Sequence, residues 1–223
     1  MDKNTYSTEK SKSFRDIATL IARINIYNRL QSEIPIELLD SILDVGVTTD
    51  RDQFSSNFFE KLYPFPNRIT ALSDQDASWL ESVYKDLKFV QSDALDMPFE
   101  NNIFDLVFSS AVIEHVGCRQ NQTKFISECI RVSRKHVYIT TPNKYYPIEL
   151  HTALPLLHWL PPDIYRSLLC KIGRSFFAEE NNLNLLSKSA LNEIMMKFPK
   201  VRFSIKHTSF LGFRSNLLLI ITK

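Results

Sequence analysis

The 223-residue sequence predicts an α/β fold: a seven-stranded, mostly parallel sheet with an antiparallel terminal hairpin and helices on both faces. Three observations predict it. Short apolar runs alternate five times with helical stretches over residues 41–143, the pattern of successive parallel βαβ units. The run IFDLVFSS is apolar nearly throughout, as in strands covered on both faces. The last two strand-like runs, VRFSIKHTSFL and SNLLLIITK, lie only a few residues apart. So short a link cannot carry a parallel crossover, and the two must pair as a hairpin.

The elements follow in order. In FRDIATLIARINIYNRL, residues Phe14, Ile17, Leu20, Ile21 and Ile24 recur at helical spacing and are expected to face the core. This helix belongs to an N-terminal extension over residues 1–40, whose first residues, MDKNTYSTEKSKS, are polar and lack the apolar core of a signal peptide. SILDV is the first strand, and SNFFEKLY a short helix with Ser55 or Ser56 as its N-cap. RITALS is the second strand, DASWLESVYKDL a helix and KFVQS the third strand. LDMPFENN breaks into a loop before IFDLVFSS, the fourth strand. QTKFISECIRVSRK is a helix with Phe125, Ile126, Cys129, Ile130 and Val132 inward, and HVYITT a fifth strand stopped by Pro142. SKSALNEIMMKF is the helix before the hairpin. Without repeats or a composition break, residues 1–223 read as a single domain with a lid-like insertion at 144–176.

Composition narrows the function. A net charge of +2 with scattered basic residues gives no electrostatic case for nucleic acid. Cys118, Cys129 and Cys170 are odd in number and form no C-x-x-C pair, which argues against disulfides or structural zinc and fits a reducing, cytoplasmic setting. No apolar run is long enough to span a membrane.

In open α/β sheets, ligands bind beyond the carboxyl ends of the strands. Here Asp44 and Gly46 close the first strand, Ser73 and Asp74 the second, Asp93 the third, and Ser109 and Ser110 the fourth. A carboxylate after the second strand suits the two hydroxyls of a ribose. One after the third can accept the exocyclic amine of adenine, with a backbone amide beside it. A single such Asp is commonly a turn residue; four polar ends in sequence order are a binding pattern.

The run QSDALDMPFENNIFDLVFSSAVIEHVG resembles the third and fourth motifs of class I S-adenosylmethionine-dependent methyltransferases. ECIRVSRKHVYITTPN looks like that family's following helix and fifth strand, and SILDVG like its first motif. The resemblance covers roughly residues 41–143 and implies a Rossmann-like methyltransferase fold with S-adenosylmethionine as cofactor. It places Gly46 against the methionine part, Asp44 near the amino group through water, Asp74 on the ribose, and Asp93 with the Ala94 amide on adenine. Three departures stand out. Ser73 competes for the position that the family gives to Asp or Glu, which leaves Ser73, Asp74 and Asp76 as alternatives at the ribose. The glycine loop D-x-G-x-G-x-G reads here Asp44-Val45-Gly46-Val47-Thr48-Thr49-Asp50. Asp50 could repel the cofactor's carboxylate, with Arg51 as the offsetting charge. Arg134-Lys135-His136 replaces the usual Pro-Gly-Gly and is expected to alter only a turn.

Methyl transfer needs alignment, shielding from water and, for a hydroxyl acceptor, a base. Ser110, Glu114 and His115 follow the fourth strand and should face the methyl group, Ser110 within the cofactor site. His115 is the candidate catalytic base; alternatively, Glu114-His115 simply caps a helix. Some quinone-pathway O-methyltransferases similar in this region hold a divalent metal through E-x-x-E-H. Ala111 stands here for the first Glu, so no metal is expected. Nor do Glu149, His151 and His158 form a helical ligand pair. The insertion NKYYPIELHTALPLLHWLPPDIYRSLLCKIG is the substrate side by position, with Tyr146 and His151 as candidate acceptor-binding residues. It reads as an apolar lid, as a plain packing segment, or as an amphipathic surface in peripheral contact with a membrane. The acceptor is accordingly a small molecule, a saccharide-type or a lipid-linked compound. The alternative is a catalytically inactive domain of the same fold serving as an interaction partner, with Thr48 and Asp50 as marks of decay.

Overall fold

Alternation along each strand decides how the sheet is covered. In the computed structural model, which describes residues 14–51 and 55–223, the strands are β1 (Ile42–Val45), β2 (Ile69–Ser73), β3 (Lys88–Gln91), β4 (Phe104–Ser110), β5 (Ser133–Pro142), β6 (Arg202–Phe210) and β7 (Phe213–Thr222). Their order is β3-β2-β1-β4-β5-β7-β6. Neighbours from β3 to β5 pair in parallel, and β7 runs antiparallel to both β5 and β6. The terminal hairpin is thus as the short link required. The polar segment 1–13 lies outside the described residues.

Ile42, Leu106, Phe108, Tyr138, Leu218 and Ile220 point to one face, and Leu43, Val107, Val137, Ile139, Leu217 and Leu219 to the other. Such two-sided burial requires helices on both faces. Helices α1 (Phe14–Glu33), α2 (Phe58–Leu62) and α3 (Trp79–Val83) cover the first face; α4 (Arg119–Val132) and a later helix over Lys188–Met195 cover the second. The inward residues of α4 are Phe125, Ile126, Cys129 and Val132, with Ile130 partly buried.

Helix α1 docks by a different face from the one its N-terminal periodicity suggested. Ile26, Tyr27, Leu30 and Ile34 are buried, whereas Ile17 is 52% exposed, Ile21 42% and Ile24 37%. The reason is position: only the C-terminal half reaches the sheet, where the Tyr27 hydroxyl donates to the Leu62 carbonyl and Lys206 pairs with Glu33. Neither Ser55 nor Ser56 caps α2. Asn57 precedes it in the left-handed conformation with no side-chain cap bond, and both serines are buried. Helix α3 is shorter than its sequence pattern, because the chain leaves it at Tyr84 and turns through a left-handed Asp86.

Three ion pairs, two of them on Asp105, brace the strands and the loop before β4. Arg134 and Lys135 do not form a turn. They lie in β5, where Arg134 Nε and Nη2 donate to Asp105 Oδ1 at 2.8 and 2.7 Å and Lys135 Nζ approaches it at 3.1 Å. Arg131 forms a two-pronged pair with Glu128, both contacts 2.7 Å, and also donates to the Phe99 and Met97 carbonyls. Glu128 in turn accepts from the Met97 amide. The E-x-x-R spacing on α4 is therefore a clamp on the loop leading into β4. Arg131→Ala should remove about 2 kcal/mol, lowering Tm by about 4–8 °C; a Tm within one degree of wild type would refute the clamp.

The insertion carries its own small core. Helices α5 (Pro162–Lys171) and α6 (Ser175–Ala178) bury Tyr165, Leu169 and Ala178 against Leu154, Leu157, Leu160 and Phe177. The helix over Lys188–Met195 is then α7, capped by Ser187, whose hydroxyl accepts from the Ala190 amide. No described helix is long and apolar enough to cross a membrane.

Candidate functional site

The sheet's order reverses between β1 and β4, so the crevice at their carboxyl ends is where a ligand is expected. A cavity of about 810 Å³ opens there, in the range of cofactor pockets. Its walls include Asp44, Gly46, Asp74, Asp93, Ala94, Ser110, His115 and His151. A larger open groove of about 1200 Å³ lies between α1 and the terminal hairpin, but none of the strand-end acids borders it.

Gly46 fits its position for two physical reasons. Its φ is +94°, which L side chains rarely adopt, and an added Cβ would lie 2.1 Å from Val112 Cγ2. The next residues dispense with glycine because they need no left-handed backbone: neither Thr48 nor Asp50 has a positive φ. Asn57 holds the loop instead. Its Oδ1 accepts from the Thr48 amide at 2.8 Å, and its Nδ2 donates to the Thr48 carbonyl at 2.9 Å. Asn57 itself takes the positive angle, φ 47°. The Thr48 hydroxyl accepts from the Asp50 amide at 3.2 Å. This two-way amide clamp was not legible in the sequence, since Asn57 is nine residues away.

The acids beyond β2 and β3 face solvent at the cavity. Asp74 lines it, while Asp76 spends its carboxylate on the Ser78 amide at 2.9 Å and does not. Asp93 Oδ1 accepts from the Leu95 amide at 2.8 Å, fixing the carboxylate in a tight turn with Ala94 beside it.

Below the loop the electrostatics are unusual. Asp44 on β1 and Glu60 on α2 are both buried and lie side by side. Burial first, then repulsion from Glu60, raises the Asp44 pKa well above the ordinary carboxylate value; burial raises Glu60 as well. The Glu60 oxygens receive no hydrogen bond from any described group. Two such carboxyls cannot both ionise cheaply, so the ionisation of one opposes that of the other. Arg23 of α1 also lines the cavity, and burial lowers its pKa to about 10 while Asp50 opposes the shift. Its Nη1 has no hydrogen-bond partner among the described residues. Arg51, expected to offset Asp50, instead lies 5.3 Å over the Trp79 ring. Sequence reading missed Arg23 and Glu60 because each reaches the site from a separate helix.

The orphaned guanidinium nitrogen, the buried carboxyl pair, the two solvent-facing acids and the Gly46 cradle together fit S-adenosylmethionine. Its carboxylate, ammonium, ribose and adenine each find a group of complementary chemistry.

The far end of the cavity is built from β4, the short 3-10 turn Ile113–His115 and the insertion. Ser110 Oγ lies 2.9 Å from Thr140 Oγ1. Ala111 carries a left-handed φ of 58°, a strain typical of site residues. His115 Nδ1 is 2.6 Å from the Asn182 carbonyl, and its Nε2 is 3.1 Å from His151 Nε2. Burial lowers the His115 pKa, with Glu114 opposing. His151 Nδ1 is 2.7 Å from Glu149 Oε1. Burial would raise Glu149, but the hydrogen bonds and charge of His151 outweigh it and hold the carboxyl at about 2. Tyr146 does not join this group. It is buried within the insertion, where its carbonyl pairs with His158 Nε2 at 2.8 Å.

Comparison with known proteins agrees with the fold. Residues 56–140 match the family described as a methyltransferase domain. Solved structures share the fold over most of the chain. The magnesium protoporphyrin IX methyltransferase of Synechocystis PCC 6803, with bound S-adenosylmethionine, is 9% identical; the match covers 98% of this chain and 87% of that one at a TM-score of 0.60. The N-methyltransferase NodS of Bradyrhizobium japonicum WM9, with S-adenosylhomocysteine, is 11% identical over 90% of this chain and 86% of that one, TM-score 0.56. A methyltransferase of Archaeoglobus fulgidus is 13% identical over 90% and 94% respectively, TM-score 0.56. Residues 56–140, from α2 into β5, thus carry the sequence match to the methyltransferase-domain family, and the sheet order β3-β2-β1-β4-β5-β7-β6 belongs to a chain that shares its fold with these solved methyltransferases.

Proposed function

We propose that the protein transfers a methyl group to a hydroxyl or amine of an acceptor held between the cofactor crevice and the 144–176 insertion. The observation that carries this reading is the single cavity joining Gly46, Asp74 and Asp93 at one end to His115 and His151 at the other. S-adenosylmethionine, when bound, supplies an electrophilic methyl group on a sulfonium. In this reading Arg23 receives its carboxylate and Asp44 its ammonium; Asp74 accepts from the ribose hydroxyls, and Asp93 with the Ala94 amide meets adenine. Ser110 borders the reacting end. The acceptor atom lies against His115 and His151, where its proton is taken up as the new bond to carbon forms. The carbon–sulfur bond breaks with it, and its electron pair stays on sulfur.

The Asn57 clamp supports a working site over a decayed one: Thr48 and Asp50 are built into an ordered loop that spares the cradle at Gly46. Among small-molecule, saccharide-type and lipid-linked acceptors, the insertion favours one with an apolar portion. Ile148, Leu150, Leu156, Trp159 and Ile164 are all exposed in the same segment as His151. Tyr146 contributes from behind, by bracing that segment through His158.

Calorimetric titration with S-adenosylmethionine and S-adenosylhomocysteine tests the cofactor half. Micromolar binding by wild type should weaken by about 10–100-fold in Asp93→Ala, the loss of charged hydrogen bonds. Equal affinity in the two proteins would refute the assignment of Asp93. A screen with labelled methyl donor against lipid-linked, saccharide and small phenolic acceptors then reads the other half.

A further inference from the structure

We propose that Glu114, His115 and His151 form a binding site for a divalent transition-metal ion of the zinc class at the acceptor end of the cavity. This reverses the expectation drawn from Ala111, which counted ligands only within one local motif. The third donor comes from the insertion, 36 residues beyond His115.

The geometry points to an ion in three ways. First, one ligand atom from each residue lies within 4.8 Å of the others. The two ring nitrogens are 3.1 Å apart, and His115 Nε2 is 4.0 Å from Glu114 Oε1. Two ligands of one tetrahedral zinc sit about 3.4 Å apart, from bond lengths of about 2.0–2.2 Å. The nitrogens nearly have that spacing, and the Glu114 oxygen lies 4.0 Å from the nearer of them.

Second, every ligand is oriented from behind, as metal ligands are. The Asn182 carbonyl can only accept, so His115 Nδ1 carries the hydrogen and its Nε2 lone pair is directed at the cluster. Glu149 Oε1 stands in the same relation to His151, 2.7 Å from its Nδ1, and turns Nε2 toward the cluster. The Thr141 hydroxyl donates to Glu114 Oε2 at 2.9 Å. The two Nε2 atoms face one another at 3.1 Å, close enough to share one ion. Third, Glu114 is fully buried and its Oε1 has no hydrogen-bond partner among the described residues. A buried carboxylate oxygen without a donor is costly, and a cation removes that cost.

Two imidazoles and one carboxylate leave at least one coordination position open, and here it faces the cavity that His115 and His151 line. Resting on the function proposed above, the ion would hold the acceptor's oxygen beside the methyl group and ease loss of its proton to solvent. With the ion bound the histidines act as its ligands, and the proton assigned to their side of the cavity above leaves to solvent instead.

The test uses the full chain, stripped with a chelator and titrated with Zn²⁺ against a chromophoric competitor and with Co²⁺ by visible absorption. S-adenosylhomocysteine binding is measured on the same sample. One equivalent of either metal should bind, with affinity falling at least tenfold in Glu114→Gln and in His151→Ala and unchanged in His207→Ala, a histidine outside the cluster. X-ray absorption of the zinc-loaded wild type should show two imidazole nitrogens, which decides the ligand set even if a variant misfolds. No stoichiometric binding by protein that still binds S-adenosylhomocysteine overturns the proposal. So does a shell without histidine, or affinity that survives in both variants. Loss of S-adenosylhomocysteine binding with metal binding intact would instead sink the cofactor assignment alone.

Discussion

Gly46→Ala is expected to abolish measurable cofactor binding and to destabilise the protein by about 2–5 kcal/mol. Two costs add. An L residue held at φ +94° is strained by roughly 1–2 kcal/mol. The new methyl group also lies 2.1 Å from Val112 Cγ2, an overlap the packed wall relieves only by moving, at about 1–3 kcal/mol. Any movement relocates the loop from Val47 to Asp50, which borders the cavity and is held by Asn57. Urea unfolding together with S-adenosylhomocysteine titration measures both effects. A Gly46→Ala/Val112→Ala double variant separates them: it should regain the packing cost but not the backbone strain. Stability within half a kcal/mol of wild type in the single variant would show that the loop accommodates a side chain freely.

Glu60→Gln should have the opposite sign, raising stability at neutral pH by about 1–3 kcal/mol, since the wild-type pair must either take up a proton or bury a second charge and a neutral amide does neither. An amide at this position can also donate to Asp44. The pH dependence follows from the direction of the shifts. Burial and mutual repulsion raise the Asp44 pKa in the folded state, and burial raises Glu60. The folded protein therefore binds more protons than the unfolded chain between the ordinary carboxylate pKa and the raised one. Within that window this pair's contribution to stability falls as pH rises, and above it the full penalty remains. Glu60→Gln should flatten that slope. Unfolding at pH 5 and pH 8 measures it; an unchanged slope would mean that the pair carries no shared proton. S-adenosylhomocysteine should stabilise wild type more than the variant, because the ligand's ammonium brings the cation that the pair lacks. The buried acids thus trade stability for binding.

The candidate site was half legible, and the division has a physical cause. The acids at the ends of β1, β2 and β3 could be named because the period-2 pattern locates strand ends, and strand ends in a parallel sheet converge. Asp74 and Asp93 accordingly line one cavity with Gly46. Thr48 and Asp50 looked like damage only because the compensating Asn57 belongs to the next element. Arg23, Glu60 and Thr141 left no local signal; each matters through what it faces, not through what it neighbours in the chain.

The amino-acid sequence by itself determined seven strands, their parallel course, the closing hairpin and the row of polar strand ends, since these depend on hydrophobic period and link length, which are local quantities. Tertiary structure alone decided which face of α1 is buried, that Arg134 and Lys135 serve Asp105, that two buried carboxyls lie side by side, and that His151 meets His115. Those outcomes depend on the distance between elements far apart in the chain. Burial and Coulomb interactions depend on that distance, and no spacing along the sequence encodes it.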